Sequence, residues 1–160
     1  MRFPVRIKTR LRGCYFCPSQ GSSIVTNHLK SHLFAQREGV VGVIEQCGRF
    51  LVIRRSAHVI APRKLCFPGG GIEAGESQSV ALCRELMEEI SVEVIPGEKL
   101  WESIGRSNTK VHWWTAVITG DGSPRANPKE VESIFWMTRE ELLQQDDLLP
   151  GNRDFLTRDQ

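Results

Sequence analysis

Long apolar runs are missing from this chain of 160 residues. No stretch approaches the roughly 18 to 20 uninterrupted apolar residues of a membrane-spanning helix, which excludes an integral membrane protein of that kind. The composition is 40% hydrophobic and 25% charged, so collagen-like, disordered and coiled-coil proteins are excluded as well. The chain is therefore expected to form a soluble domain large enough to bury its own core.

Acidic residues are missing from the first part of the chain. Residues 1–37 contain seven Lys or Arg and no Asp or Glu, a charge of +7, whereas the remaining residues carry −5. A basic segment of this kind is typical of a nucleic-acid contact, an Arg-rich organellar address or a solvated extension. We predict a basic N-terminal extension over 1–37, either flexible or folded around a small zinc site, ahead of a domain over 38–160.

The cysteine content does not fit a disulfide-stapled scaffold. Five cysteines is an odd number, and in a chain of this size it indicates reduced thiols in a cytosol-like compartment. The apolar core of a secretory signal peptide is also missing. A cytoplasmic location is therefore expected, with organellar targeting by the basic N-terminus as the alternative.

Two cysteines and two histidines of the basic segment are paired at zinc-ligand spacing. They are Cys14, Cys17, His28 and His32. The gap between the two pairs is shorter than the roughly 12 residues usual in a zinc finger. A Zn²⁺ site is one interpretation, and reduced cysteines with unrelated histidines are the other.

Short apolar runs alternate with turn residues from position 39 onward. A hairpin is predicted from Val40–Ile44 and Phe50–Ile53, with Cys47-Gly48 as its turn. A helix with an apolar stripe begins at the N-cap Ser77, and Pro96-Gly97 is predicted to end the short strand that follows it. Further strands are predicted at Leu100–Ile104, Val111–Ile118 and Glu130–Trp136. A capping box over Thr138–Glu141 opens a last helix. This order indicates an α/β sandwich with a mixed sheet rather than a doubly wound parallel sheet.

Three glutamates share one face of the predicted helix. Glu85, Glu88 and Glu89 lie at positions i, i+3 and i+4, so their like charges repel unless a cation lies between them. Carboxylate oxygens are natural ligands of Mg²⁺ and Mn²⁺, which bind alongside substrate phosphates. For three glutamates alone, a solvated acidic helix face would be the alternative.

The spacing around these glutamates is far more specific. Residues 70–92 resemble the Nudix box, G-x5-E-x7-R-E-U-x-E-E-x-G-U with U apolar, which arises by chance roughly once in 10⁸ starting points. The matching positions are Gly70, Glu76, Arg84, Glu85, Leu86, Glu88, Glu89 and Val92. Ser91 stands where the family has glycine, and we expect it to adopt a left-handed conformation at a cost of about 1 kcal/mol. Phe67-Pro68-Gly69-Gly70 ahead of the box is also usual in this family.

Resemblance to the MutT-like Nudix hydrolases implies a fold and an activity for the domain over 38–160. The fold would be the Nudix α/β/α sandwich, and the activity would be metal-dependent hydrolysis of a nucleoside diphosphate linked to another group, by water attacking phosphorus. The implied ligands of Mg²⁺, or alternatively Mn²⁺, are Glu85, Glu88, Glu89 and the carbonyl of Gly70. Glu76 and Arg84 would orient them, and Glu130, with Glu132 behind it, is the candidate for a further catalytic carboxylate.

Two sets of side chains could contact the substrate outside the box. The basic residues Arg54, Arg55, Arg63 and Lys64 would bind its phosphates, or else form a solvated basic loop. Four aromatic residues could stack on a base, or else pack in the core: Trp101, Trp113, Trp114 and Phe135. Because neighbouring strand residues point to opposite faces, Trp113 and Trp114 cannot both face the same side.

Three functions remain open from the sequence. A pyrophosphohydrolase acting on the nucleotide pool is favoured because the chain is short and shows no added recognition domain. The alternatives are a nucleotide-sensing Nudix domain without catalysis, and an RNA 5′-end pyrophosphohydrolase in which the basic segment contacts nucleic acid. Each has a nucleotide as its partner and none needs a membrane, while the oligomeric state stays open.

Overall fold

The computed structural model describes residues 36–105, 108–120 and 122–158. The predicted zinc ligands and nearly all of the predicted extension over 1–37 lie outside these residues. The described part contains seven strands and three helices, in the order β1 (Glu38–Val43), β2 (Glu45–Gln46), β3 (Arg49–Arg55), β4 (Leu65–Cys66), α1 (Gln78–Ile90), β5 (Val94–Ile104), β6 (Lys110–Ile118), β7 (Val131–Met137), α2 (Arg139–Leu143) and α3 (Pro150–Thr157). Within it, no helix has the length and apolar character needed to cross a membrane.

The first sheet has the strand order β1-β6-β5 and is mixed, as the sequence predicted. β1 runs parallel to β6, and β5 runs antiparallel to β6. The prediction that Pro96-Gly97 ends a strand is wrong, because β5 continues through it with register irregularities at Pro96/Lys99 and Lys99/Trp101. A proline is tolerated there since β5 is an edge strand, where a missing N–H breaks no ladder, and the irregularities absorb the distortion.

The second sheet is antiparallel and contains β2, β3, β4 and β7. The predicted hairpin is only partly right, since just Glu45–Gln46 pairs with the start of β3 and β1 belongs to the other sheet. Val40 and Val43 of β1 are both buried, and they pack into two different core clusters. Continuous apolar runs of this type are typical of strands covered on both faces, which suits the parallel pairing of β1 with β6.

Helices α1 and α3 cover opposite faces of the first sheet. Leu82, Leu86 and Ile90 of α1 pack into one cluster, against which Trp114 also packs. Trp113 lies in the other cluster and stacks on Phe155 of α3, with 4.8 Å between ring centroids. The two neighbouring tryptophans therefore face opposite sides of β6, as the alternation of a strand requires.

Both ends of α1 are capped as the sequence predicted. The Ser77 side chain accepts a hydrogen bond from the N–H of Val80. At the other end Ser91 is left-handed, with φ 55° and ψ 40°, and its N–H donates to the Met87 carbonyl. The capping box of Thr138 and Glu141 at α2 is present as well.

Helix α3 was not predicted from the sequence. Pro150 lies at its first turn, a position that proline favours, but the N-cap residue Leu149 offers no side-chain cap. Arg153 anchors the helix by donating to the carbonyls of Leu143 and Gln145, each at 2.7 Å. Its eight residues are too few to show a convincing apolar period.

Candidate active site

Helix α1 presents its three glutamates to different surroundings. Glu85 and Glu89 are buried, with 9% and 3% of their surface exposed. The Glu88 side chain is half exposed. The inward pair therefore forms a buried acidic site, and Glu88 lies at its solvent side.

The segment Phe67–Gly70, called the glycine segment below, lies directly against the buried pair of carboxylates. The N–H of Gly69 donates to the Glu89 carboxylate at 2.8 Å. A Cβ atom on Gly70 would lie 2.3 Å from a carboxylate oxygen of Glu85, and one on Gly69 would lie 2.2 Å from the Val40 carbonyl. Gly69 also has a positive φ of 144°. Only glycine fits these two positions, because any side chain would displace the carboxylates or β1.

The Gly70 carbonyl, a predicted metal ligand, already accepts the N–H of Val40 at 2.9 Å. A carbonyl oxygen has a second lone pair, so this bond leaves one acceptor position available. The backbone of the segment is thus fixed to β1 while it lines the acidic site.

Arg84 connects the box residues to one another. Its guanidinium makes a bidentate pair with Glu76, with both N···O distances 2.9 Å. The same group donates to Glu85 at 2.9 Å, to Glu88 at 3.2 Å and to the Gly71 carbonyl at 2.8 Å. The hydrogen bonds that Arg84 donates to Glu76 lower the pKa of the Glu76 carboxyl and raise the pKa of the Arg84 guanidinium. Arg84 therefore holds its partners in one geometry as a fixed cation.

Burial dominates the electrostatics of the inward pair. It raises the pKa of Glu89 to about 8, against the lowering effects of the Gly69 N–H and of the Arg55 charge. Burial also raises the pKa of Glu85, against Arg84. The charge of Glu130 raises the pKa of both carboxyls, which places Glu130 within electrostatic reach of the site. The negative charges of these two buried carboxyl groups are only partly compensated by Arg84, Arg55 and the Gly69 N–H. Such a pair favours a bound cation.

A divalent ion fits the donor chemistry of this site. Its donors are oxygen atoms, which suits Mg²⁺ or Mn²⁺. Among the described residues, no three Asp, Glu, His or Cys side chains already converge on one point. Arg84 accounts for this, since it binds Glu85 and Glu88 on its own side. An ion would have to draw these carboxylates together.

The structure separates the four basic candidates. Arg55 faces the acidic site, where its charge acts on Glu89, and its Nε donates to the Ile60 carbonyl at 2.9 Å. Arg54 instead pairs with Asp147. A register irregularity in the pairing of β3 with β7 falls between these two residues, and the charge of Arg55 acts on Glu89 whereas Arg54 is held by Asp147. Arg63 and Lys64 are exposed in the loop that follows.

A cavity of about 400 Å³, which the sequence did not predict, is lined by residues of β1, β5, β6 and α3. Two of the predicted aromatic side chains line it, Trp101 and Trp113, with 5.5 Å between ring centroids. Its polar walls include Ser103, Asn152 and Asp154. Asn152 and Asp154 belong to α3. The only sequence signal for this part of the cavity wall was the run of polar residues after Pro150. Trp114 lies on the other face, where it donates to Gln78.

Asn152 connects this cavity to the glycine segment. Its Oδ1 accepts the N–H of Phe67 at 2.7 Å, three residues before Gly70. The segment Phe67–Gly70 therefore contacts the cavity wall at one end and the buried carboxylates at the other.

Comparison with known proteins points to one family. A family model of the NUDIX domain matches residues 35–158. The CTP pyrophosphohydrolase of Escherichia coli (strain K12) is 31% identical over 107 residues, which cover 67% of this chain and 79% of that protein. The 8-oxo-dGTP diphosphatase of the same organism is 32% identical over 123 residues, covering 74% and 92%. The crystal structure of a MutT protein from Methanosarcina mazei Go1 shares the fold, with a TM-score of 0.66, 24% identity, and coverage of 76% of this chain and 90% of that one.

Proposed function

Since the chain belongs to the Nudix hydrolase family, we propose that it hydrolyses nucleoside triphosphates of the nucleotide pool, with Mg²⁺ or Mn²⁺, to the monophosphate and pyrophosphate. One observation carries the proposal. The segment Phe67–Gly70 donates to the buried Glu89 carboxylate through the Gly69 N–H, and to Asn152, which lines a cavity with two tryptophans, through the Phe67 N–H. A candidate site for phosphates and a candidate site for a base are therefore joined through this segment and Asn152.

The reaction needs an attacking water, a proton acceptor and relief of negative charge. Water attacks phosphorus, the P–O bond to the leaving pyrophosphate breaks with its electron pair, and the proton of the water passes to a carboxylate. A bound divalent ion would neutralise the phosphate oxygens and make the water more acidic. Glu85, Glu88 and Glu89, with the Gly70 carbonyl, would hold that ion, and one of the carboxylates of the site, Glu130 included, would accept the proton.

The remaining residues bind and orient. Arg84 and Glu76 fix the direction of the carboxylates through their bidentate pair. Arg55 is the cation of β3 that faces the acidic site, so it would bind a substrate phosphate there. Trp101, which is partly exposed, would hold the base by stacking, and the buried Trp113 would support the Trp101 ring.

The relatives support a nucleoside triphosphate but leave the base open. One is named for CTP and another for 8-oxo-dGTP, and these have a pyrimidine and an oxidised purine base. The test panel therefore contains nucleoside triphosphates with both kinds of base. It also contains ADP-ribose, dinucleoside polyphosphates and nucleotide sugars, which cover the family's other substrate types.

The test of the proposal measures pyrophosphate released from the nucleoside triphosphates, and the mononucleotide products released from the other members of the panel, with Mg²⁺ and with chelator. Glu88→Gln should lower turnover at least about 100-fold, since a metal ligand supplies several kcal/mol of charge stabilisation. Glu93→Gln is the matched control, because Glu93 is an exposed glutamate outside the box. Metal-dependent turnover that Glu88→Gln abolishes and Glu93→Gln retains would support the proposal. Nucleotide binding without turnover would contradict it and favour a sensor.

A further inference from the structure

Helix α1 ends against the loop that leads into β7. The Asn127 N–H donates to the Glu89 carbonyl at 2.9 Å, and the Asn127 Nδ2 donates to the Glu88 carbonyl at 3.1 Å. The Arg125 N–H donates to the Ile90 carbonyl at 2.8 Å. The last carbonyls of a helix find no partner within the helix. This loop therefore supplies partners at the end of α1 that carries two of the three glutamates.

Asn127 also shapes the turn that carries Glu130. Its carbonyl accepts the N–H of Glu130 at 3.0 Å and the N–H of Val131 at 2.7 Å. Its Oδ1 accepts the N–H of Lys129 at 3.2 Å, as in an Asx turn. The side-chain amide therefore has its donor end on α1 and its acceptor end in the turn Asn127–Glu130.

The same turn is tied to β3, but this tie does not include the helix. Ser56, directly after β3, donates its N–H to the Glu130 carbonyl and its Oγ–H to the Lys129 carbonyl, both at 2.8 Å. Among the described residues, the only hydrogen bonds from the loop before β7 to α1 come from Arg125 and Asn127. The bond from Asn127 Nδ2 is the one among them that a side-chain substitution removes.

Glu130 needs a restraint because its neighbours carry the same charge. The charge of Glu130 raises the pKa of both Glu85 and Glu89, so its carboxylate lies close enough to interact with theirs. Like charges repel, and Glu130 is only half-buried. A turn that is free to move away from α1 would let this carboxylate move toward solvent, and the site would lose negative potential that attracts a divalent ion.

We propose that the Asn127 side chain is a positioning residue, which holds Glu130 close to the carboxylates of Glu85 and Glu89 by joining its turn to the end of α1. This inference rests on the proposed function, in which Glu130 is one of the carboxylates of the site. Loss of the Asn127 side chain should therefore weaken Mg²⁺ binding and slow the chemical step, as loss of the Glu130 charge does.

Four variants separate this role from simple stabilisation. Asn127→Ala removes both side-chain bonds and keeps the backbone bond to the Glu89 carbonyl. Asn127→Ser keeps an oxygen that accepts the Lys129 N–H, but its side chain is too short to replace the bond to α1. Glu130→Gln removes the charge itself. Gln145→Ala is the matched control, because its amide Nε2 also donates at 3.1 Å to a carbonyl at a helix end, that of Glu141 in α2.

The first measurement needs neither metal nor turnover. Hydrogen exchange of the Glu130 and Val131 amides, which donate to the Asn127 carbonyl, should speed up in Asn127→Ala. It should stay as slow as in the parent in Gln145→Ala. Exchange that is unchanged in Asn127→Ala would overturn the proposal, because the turn would then be held without the side chain.

The second measurement uses Mg²⁺ alone and a double-variant cycle. The Mg²⁺ concentration that gives half of the maximal increase in melting temperature should rise about tenfold in Glu130→Gln, in Asn127→Ala and in Asn127→Ser, since partners around metal ligands contribute 10–100-fold. The double variant of Asn127→Ala and Glu130→Gln should need no more Mg²⁺ than Glu130→Gln, because a displaced carboxylate leaves nothing further to lose. Effects that multiply in the double variant would overturn the proposal. So would a parent-like response of Glu130→Gln or of Asn127→Ser, or equal responses of Asn127→Ala and Gln145→Ala.

Kinetics supply the third measurement. Asn127→Ala should lower kcat about tenfold with KM nearly unchanged, because Asn127 contacts neither the cavity nor Arg55 in the described part of the chain. A rise in KM with kcat unchanged would contradict the proposal. A parent protein that responds to Mg²⁺ but turns over no nucleotide would contradict the proposed function instead, while the exchange and Mg²⁺ measurements would still decide the role of Asn127.

Discussion

Replacing Ser91 by glycine should stabilise the protein without changing its site. Ser91 ends α1 in the left-handed conformation, with φ 55° and ψ 40°. An L side chain there costs about 1–2 kcal/mol. Glycine avoids this cost but gains about 0.5 kcal/mol of unfolded-chain entropy. The free energy of unfolding should therefore rise by about 1 kcal/mol in Ser91→Gly.

The structure gives reasons to expect the full gain. Ser91 is exposed, and no side-chain hydrogen bond of Ser91 is found in the part of the chain that the structure describes. Its backbone N–H donates to the Met87 carbonyl, and glycine keeps this bond. A gain of this size should raise the melting temperature by about 3–5 °C in a domain of intermediate length.

Thermal unfolding with and without chelator measures the effect, and Ser91→Ala is the control. Alanine keeps the Cβ atom that causes the cost, so this variant should melt close to the parent. Turnover of Ser91→Gly should equal that of the parent, because Glu89 lies in the preceding helical turn. A Ser91→Gly variant that melts no higher than Ser91→Ala would refute the argument that the left-handed cap is strained.

Two further predictions concern protons and thiols. The pKa of Glu89 is raised by burial to about 8 from 4.5, so the metal-free fold binds a proton that the unfolded chain releases. The free energy of unfolding of the metal-free protein should thus fall as pH rises from about 4.5 to about 8. The rise in melting temperature on adding Mg²⁺ should grow over the same range, and a rise that is independent of pH would contradict this. Burial raises the pKa of Cys66 to about 12, whereas Cys47 is exposed. Iodoacetamide at pH 8 should alkylate Cys47 and spare Cys66 in the folded protein, as peptide mass spectrometry can check, and equal labelling would show that the Cys66 environment opens.

Local patterns predicted the helix that carries the site. The spacing from Gly70 to Val92 and the caps Ser77 and Ser91 depend on neighbours within a few turns, so the sequence alone indicated them. The roles assigned to the glutamates remain predictions, of which the Glu88→Gln variant tests one.

Pairings between distant segments could not be predicted in the same way. β1 joins β6 across some 70 residues, and its apolar run is equally compatible with the local hairpin that was expected. The difference between Arg54 and Arg55 coincides with a register irregularity between them, which arises where β3 pairs with the distant β7. The cavity is formed by β1, β5, β6 and α3 together, so no single segment carries its signature.

The glycine segment has a second consequence for the molecule, because it closes the open side of β1. Val40 and Gly42 donate to the carbonyls of Gly70 and Pro68, and the Ile72 N–H donates to the Glu38 carbonyl. Unpaired strand edges are templates for aggregation. A substitution that displaces this segment would expose such an edge, so displacement of the proposed metal ligands and self-association of the chain should arise together.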